Sequence, residues 1–202
     1  CLGGEEIASF VSMAVIVPTL IGAAIAVQLC KKYDKFKIFY FSYMFALILG
    51  IVRYIAGYEN MMVYVILNAL GGFPLGIAAI LQYQFTPDCY EYGQYKTGLK
   101  MRGVTFAAQT FFTKLNGAIA TAVSVFALTL IGFKEGEGVI QAAGFADKLW
   151  TFSCLGSIIG GIGTLLILHL YKLNDHDVQL MSKCNNGEIT REEAEAQMIN
   201  RY

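Results

Sequence analysis

One lysine stands inside a long apolar segment, where a charged side chain needs a physical reason. Lys114 lies about eleven residues into the apolar segment at residues 103–133, which corresponds to roughly 17 Å of helix. A lysine stem does not reach a membrane surface over that distance, and an ammonium group at the bilayer centre costs about 2.5–3.5 kcal/mol on insertion scales. No apolar segment of the chain carries Asp or Glu in its middle. We therefore expect Lys114 to serve a solute pathway, with its partner in a ligand, another subunit or a helix outside this chain; the alternative is a lysine that snorkels from a misplaced helix end.

Polar side chains accompany Lys114 along the same segment. They are Gln109, Thr110, Thr113 and Asn116, and they supply hydrogen-bond donors and acceptors. Such groups suit the binding of a hydroxylated solute, and they equally suit hydrogen bonds between membrane helices. The residue types alone leave both interpretations open.

A short charged stretch at residues 86–102 precedes this segment and contains groups of both signs. They are Asp88, Glu91, Lys96, Lys100 and Arg102, with tyrosines between them. An exposed ion pair contributes only about 0–1 kcal/mol, so pairs formed here would break easily. That property suits a latch that holds two helix bundles shut, and the alternative is an ordinary solvated loop.

Enzymatic and metal chemistry are not favoured by the remaining reactive residues. Neither Cys89 nor the pair Asp88 and Glu91 has a histidine nearby in the sequence, so we expect no enzyme. His169 and His176 flank the end of an apolar segment, which is not the spacing of a metal site. The five cysteines, an odd number without C-x-x-C, predict neither a zinc ribbon nor a disulfide framework. We expect no metal and no cofactor.

The elements that hold these residues are long apolar blocks. Hydrophobic residues make up 56% of the 202-residue chain and charged residues only 15%, whereas a soluble domain has about 25% charged residues. Five blocks, at about 7–29, 36–56, 61–85, 103–133 and 149–171, are long enough for membrane-spanning helices. Gly156-x-x-x-Gly160 and Ser157-x-x-x-Gly161 in the last block allow close approach of another helix. We predict an all-α integral membrane protein in contact with membrane lipid; its balanced charge gives no reason to expect nucleic acid as a partner.

Residues 172–202 form a polar tail with helix signals. Asn174 is a candidate N-cap, Asn186-Gly187 is a stop signal, and Thr190 with Glu193 forms a capping box for a last helix. We predict two short amphipathic helices that lie in solvent.

The basic residues predict the orientation of the chain. Eleven of the fifteen basic residues fall in the loop at 30–37, the charged stretch at 86–102 and the tail. The positive-inside rule places these parts in the cytoplasm. Five spans with a cytoplasmic C-terminus put the start of the chain outside, which suits a sequence that opens with Cys1 and whose upstream helices are missing.

Two adjoining motifs carry a resemblance to a known family. Residues 87–103 read PDCYEYGQYKTGLKMRG, and residues 109–120 read QTFFTKLNGAIA. Together they resemble the glycoside–pentoside–hexuronide:cation symporters, the melibiose permease-like branch of the major facilitator superfamily. A weaker resemblance extends over the whole chain, so the five blocks correspond to helices 8–12 of a twelve-helix fold. The resemblance implies that a sugar and a cation, Na⁺ or H⁺, bind between two helix bundles that expose the site alternately.

The resemblance also implies roles for particular residues. Lys114 would lie beside the sugar and cation sites, which Gln109, Thr110, Thr113 and Asn116 would complete. Another set would form the inner gate at the cytoplasmic end of helix 10. It contains Asp88, Glu91, Lys96, Lys100 and Arg102, with Lys31 and Lys32 as candidate partners of the two carboxylates.

Some positions depart from the family pattern. Lys100 replaces an arginine and so keeps the charge without the bidentate fork. Arg102 stands where the family has glutamate, and a sugar-stacking tryptophan of melibiose permease falls at Ala79. The cation-binding aspartates of the family belong to the N-terminal half. The identity of the sugar and the choice of cation are therefore left open.

We predict from these features that residues 1–171 are a partial C-terminal transmembrane bundle and that residues 172–202 are a cytoplasmic helical tail. The chain would belong to a cation-coupled sugar or glycoside symporter of the cytoplasmic (inner) membrane. The N-terminal helices of the same transporter would be its partners. The alternatives are a same-fold transporter of a non-sugar solute and a non-transporting membrane protein for assembly or sensing.

Overall fold

The structure is a computed structural model that describes residues 5–134, 136 and 141–202, with side chains from residue 11 onward. Cys1 lies outside the described residues. In the described part the chain forms seven α-helices and no strand: α1 (Glu5–Leu29), α2 (Lys35–Ala56), α3 (Met61–Thr97), α4 (Arg102–Leu130), α5 (Phe145–Leu168), α6 (Asp175–Asn185) and α7 (Arg191–Gln197). Five of them, α1 to α5, are long and apolar enough to cross a membrane. The prediction of an all-α membrane fold is confirmed.

Capping side chains set the starts of several helices. The Asp34 carboxylate caps α2, and the Asn174 side chain caps α6 by accepting a hydrogen bond from the N–H of Asp177. Thr190 and Glu193 form the predicted capping box at the start of α7. Each cap satisfies a backbone N–H that has no partner inside its own helix. The two short tail helices therefore begin where the sequence predicted.

Helix α3 is the centre of the fold. Both α1 and α2 pack along its membrane-spanning part, and α5 packs on α2. The approach of α1 to α3 is close because glycines stand at the contact: a Cβ at Gly22 or Gly76 would overlap a backbone carbonyl of the facing helix. Of the small residues predicted to allow close approach in α5, Gly161 has the Leu47 side chain of α2 at 3.2 Å from an added Cβ, whereas Gly156 and Gly160 meet no described atom within 4 Å.

Helix α3 does not end where the sequence suggested. It continues through Pro87 to Thr97, so most of the stretch at 86–102 is helical and only residues 98–101 connect it to α4. Gly98 ends the helix with a φ of 73°, in the left-handed region that favours glycine. The charged extension is helical because one of its faces is buried, at Asp88, Gln94 and Tyr95. Local charge density suggested a loop, and tertiary packing overrides it.

The tail is solvated only in part. The prediction that its helices lie in solvent is wrong for α6, whereas α7 is exposed at every residue except Ala194. Helix α6 packs on α3 and buries Val178, Leu180 and Met181. These residues form an apolar stripe at helical spacing, which gains free energy when another helix covers it. Asp177 is buried beside them.

Helix α4 stands largely clear of the other described helices. It packs mainly on α3, and every residue from 110 to 126 is exposed. The middle of this apolar helix therefore presents all of its sides to groups beyond the described part of the chain.

Candidate functional site

The predicted substrate-site residues all lie near the middle of α4. Lys114 is exposed and forms no ion pair with any described residue. Because an α-helix advances about 100° per residue, Thr110 and Lys114 share a face, while Gln109 and Asn116 lie about 140–160° around the helix from Lys114. Thr113 lies between the two groups. Helix α4 alone thus divides the five residues between two faces and does not gather them into one cluster.

The threonine hydroxyls on α4 are bonded within the helix. Thr110 Oγ1 donates to the carbonyl oxygen of Phe106 at 3.0 Å, and Thr113 Oγ1 donates to that of Gln109 at 2.9 Å. With their protons engaged, the hydroxyls keep lone pairs for an outside donor. The Lys114 face therefore presents an ammonium group beside a hydroxyl acceptor, which can bind an anionic group and a sugar hydroxyl together.

A partly buried ionic cluster lies where α2 begins. Lys35 Nζ is 2.7 Å from Asp88 Oδ1 and 3.2 Å from Asp175 Oδ1. The Lys35 N–H donates to Asp175 Oδ2, and the Asp175 N–H donates to Asp34 Oδ2, both at 2.8 Å. The Asp88 side chain is only 6% exposed, so this carboxylate needs the pairing that Lys35 provides. The cluster ties α2, α3 and α6 together.

The partner of Asp88 is Lys35, and not Lys31 or Lys32 as we expected. Lys31 and Lys32 are exposed and pair with no described carboxylate. Lys35 directly follows the N-cap Asp34, so the first turn of α2 holds it against α3, whereas the other two lysines lie in the turn before the helix. The N-cap position is the sequence signal that could have distinguished Lys35.

The second predicted gate carboxylate contacts the tail. Asn185 Nδ2 donates to Glu91 Oε2 at 2.8 Å and to the Glu91 carbonyl oxygen at 3.0 Å. One turn further, the Tyr95 hydroxyl donates to Glu195 Oε1 at 3.0 Å, and Arg191 Nε lies 3.0 Å from the same oxygen. The last turns of α3 therefore serve as the docking face for the tail.

The basic residues of the predicted gate are not engaged with carboxylates. Lys96, Lys100 and Arg102 are exposed, and the described chain offers none of them an ion pair. The Arg102 guanidinium lies 5.8 Å from the centre of the Phe106 ring. These three cations are available to groups outside the described residues. The gate role of the whole set stays a prediction.

A further buried carboxylate, which the sequence pattern did not reveal, organises the tail. Asp177 is fully buried and accepts hydrogen bonds from the N–H groups of Ile199 at 2.8 Å and Asn200 at 3.0 Å, and from the Tyr202 hydroxyl at 3.0 Å. Burial disfavours the charged form of Asp177, but the hydrogen bonds from the N–H groups of Ile199 and Asn200 and from the side chains of Asn174 and His176 outweigh it and hold its pKa below the usual range. Its position in the first turn of α6 was the only local sign of a special role.

Comparison with known proteins decides the family. A family model described as MFS/sugar transport protein matches residues 2–175. The chain belongs to this family. Its likeness to symporters of the major facilitator superfamily is thereby confirmed. The family and the apolar helices together make it a multi-pass membrane protein.

Relatives in this family are similar at low identity. The chain is 25% identical over 195 residues to a putative sulfoquinovose importer of Escherichia coli K12, covering 93% of this chain and 40% of that protein. It is 22% identical over 165 residues to the putative glycoside/cation symporter YagG of the same organism, covering 82% and 36%. It is 20% identical over 178 residues to the inner membrane symporter YicJ, also of E. coli K12, covering 88% and 39%. The chain thus spans 36–40% of the length of these relatives.

Proposed function

We propose that this chain forms part of a secondary transporter that carries a sugar or glycoside together with Na⁺ or H⁺ across the inner membrane. Membership in the MFS sugar-transport family supports this, as do relatives described as a glycoside/cation symporter and an inner membrane symporter. The observation that carries the proposal is Lys114, a cation in the middle of a membrane-spanning helix for which the described chain offers no carboxylate. Such a residue is costly in a membrane unless it is used.

Lys114 would act by competing with the coupling cation for one carboxylate. We place that carboxylate in helices of the same transporter that lie outside this chain. While the carboxylate is empty, it would hold the Lys114 ammonium by charge attraction. Binding of Na⁺ or H⁺ would neutralise the carboxylate, release Lys114 and leave it free to bind the solute beside Thr110. Loading of the cation and loading of the solute would thus favour each other.

The inner gate would draw on the exposed cations of the 96–102 region. Lys96, Lys100 and Arg102 would pair with acidic groups of the facing helix bundle in one conformation and lose these pairs in the other. Asp88 would serve differently, because its pair with Lys35 keeps α2 and α3 together within one bundle. The gate and the C-terminal tail would lie in the cytoplasm, in keeping with the basic residues of the loop at 30–37 and of the tail.

Uptake by the transporter that contains this chain tests the role of Lys114. Lys114→Ala should abolish accumulation of a labelled sugar against its gradient, while downhill exchange of the same sugar persists. Lys148→Ala, which removes an exposed lysine near the start of α5, is the matched control and should leave accumulation unchanged. Normal accumulation by Lys114→Ala would refute the proposal and favour a protein that uses these helices only for assembly or sensing.

A negatively charged solute is a second candidate. One relative is described as a putative sulfoquinovose importer. A protein of Salmonella typhimurium, 26% identical over 113 residues that cover 55% of this chain and 24% of that protein, is described as a putative 2,3-dihydroxypropane-1-sulfonate exporter. The Lys114 ammonium could bind a sulfonate group directly. In that case Lys114→Gln should reduce uptake of the sulfonated solute and leave uptake of a neutral glycoside unchanged.

Uptake measured with Na⁺ replaced by choline, and then across a pH gradient, identifies the coupling cation.

A further inference from the structure

A basic cleft lies where α1 and α2 emerge from the membrane-spanning part of the fold. It has a volume of about 590 Å³ and is bounded by the loop at 30–37 and the segment after α5. Four exposed lysines line it, and they form no ion pair within the described chain: Lys31, Lys32, Lys37 and Lys172. The carboxylates in its wall, Asp34 and Asp175, already accept hydrogen bonds from backbone N–H groups, and Asp175 also pairs with Lys35. The cleft therefore has an excess of uncompensated positive charge.

An apolar groove continues from this cleft into the membrane-spanning region. It has a volume of about 420 Å³ and lies between the end of α1, α2 and α3. Its wall includes Leu29, Ile38, Phe41, Phe45, Phe73 and Ile77. Phe41 is 60% exposed and Phe45 is 43% exposed, so both present a large apolar surface for another molecule to cover.

The cleft and the groove share two residues. Tyr33 and Lys37 line both of them, so the two spaces adjoin at the membrane surface. From Lys37 to Phe45 the groove follows about two turns of α2, which is roughly 12 Å of depth. A molecule that fills both spaces must carry a negative group at one end and a hydrocarbon chain at the other.

We propose that the basic cleft and the apolar groove together form a binding site for one anionic phospholipid. The phosphate group lies among the four lysines, and one acyl chain runs along the groove past Phe41 and Phe45. A soluble phosphate would leave the groove uncovered, and a zwitterionic lipid would leave the lysine charges uncompensated. No residue of α4 lines the cleft or the groove, so the site does not depend on the transport proposal.

Native mass spectrometry of the purified protein in detergent, with added lipid, tests the site. Phosphatidylglycerol should bind more tightly than phosphatidylcholine with the same acyl chains. The double variant Lys37→Gln, Lys172→Gln should weaken phosphatidylglycerol binding about 30-fold, because each basic residue near an anionic membrane surface contributes about a fivefold factor. The charge-matched control Lys148→Gln, Lys183→Gln should change it less than twofold. Lys37→Arg, Lys172→Arg should retain binding, which separates the role of charge from that of packing.

The groove has its own matched pair of variants. Phe45→Ala should weaken phosphatidylglycerol binding several-fold, whereas Phe152→Ala, at a similarly exposed position of α5 (44% against 43%), should not. Glycerol 3-phosphate, which lacks acyl chains, should fail to displace the lipid. Equal binding of the two lipids, unchanged binding by the lysine pair variant, or efficient displacement by glycerol 3-phosphate would each overturn the proposal.

Discussion

The buried carboxylate of Asp177 provides the most direct test of how the tail is held. Two backbone N–H groups, of Ile199 and Asn200, donate to it, and a hydrogen bond to a charged group contributes about 1.5–3 kcal/mol. Asp177→Ala removes both bonds and the one from the Tyr202 hydroxyl. That hydroxyl can donate to the Lys172 carbonyl oxygen instead, and Ile199 is 71% exposed, so its N–H can recover water. We therefore expect the lower end of the sum, about 3 kcal/mol, which corresponds to an increase of roughly 150-fold in the equilibrium constant for detaching the end of the tail.

Amide hydrogen exchange followed by mass spectrometry measures this detachment. In Asp177→Ala, exchange at residues 198–202 should accelerate about a hundredfold, while the amides of α2 keep their protection. Asp177→Asn retains one acceptor oxygen and should accelerate exchange by about tenfold. Glu188→Ala removes an exposed carboxylate of the same tail and should have no effect. Unchanged protection in Asp177→Ala would refute the reasoning, because it would mean that Asp177 does not hold residues 199–202.

Three further predictions follow from the same structure. Because the pKa of Asp177 is lowered on folding, its contribution to the stability of the docked tail should be complete above the ordinary aspartate pKa of about 3.9 and should decrease as the pH falls below that value. Hydrogen exchange at the tail amides as a function of pH measures this. Lys35→Ala leaves two carboxylates without their cation and should lower the free energy of unfolding by about 3–5 kcal/mol. Thermal unfolding in detergent measures this, and the control Lys32→Ala should change the free energy by less than about 0.5 kcal/mol. Gly76→Ala should destabilise the folded protein by at least about 1–3 kcal/mol, because a Cβ has no room at the α1 contact. Gly93→Ala, where nothing lies within 4 Å of an added Cβ, should be neutral or stabilising. A lower melting temperature for Gly93→Ala than for Gly76→Ala would contradict the packing.

The membrane helices and the tail caps could be predicted because their signals are local. A block of about twenty apolar residues has few alternatives to a membrane-spanning helix, and the Thr190–Glu193 capping box acts within one turn. The extension of α3 to Thr97 could not be predicted in the same way. Its charged residues are helical because Asp88 meets Lys35 and because Glu91 and Tyr95 meet the tail. These contacts join residues that lie far apart in the sequence.

Close helix packing shows the same limit. A G-x-x-x-G pattern identifies a helix face that can be approached, and it does not say which face is used. Gly156 and Gly160 fit the pattern and face open space among the described residues, whereas Gly22 and Gly76 lie on different helices and make the tight contact. Which glycines matter depends on the relative position of α1 and α3, and no spacing within one helix contains that information.

Lys35 and Lys114 are the two lysines of this fold that most need a negatively charged partner. They differ in whether the described chain supplies one, and this difference distinguishes a structural role from a functional one. Lys35 has two carboxylates of its own chain within 3.2 Å, so its charge is paired within the fold. Lys114 has none among the described residues, although it lies in a helix apolar enough to cross a membrane. A paired cation stabilises the fold it belongs to, whereas an unpaired cation in a membrane helix stabilises only the state in which its partner arrives. We therefore expect Lys35→Ala to reduce the stability of the fold. Lys114→Ala should leave stability intact and reduce the coupling of sugar uptake to the cation. The reverse result would make Lys114 the structural residue and Lys35 the functional one.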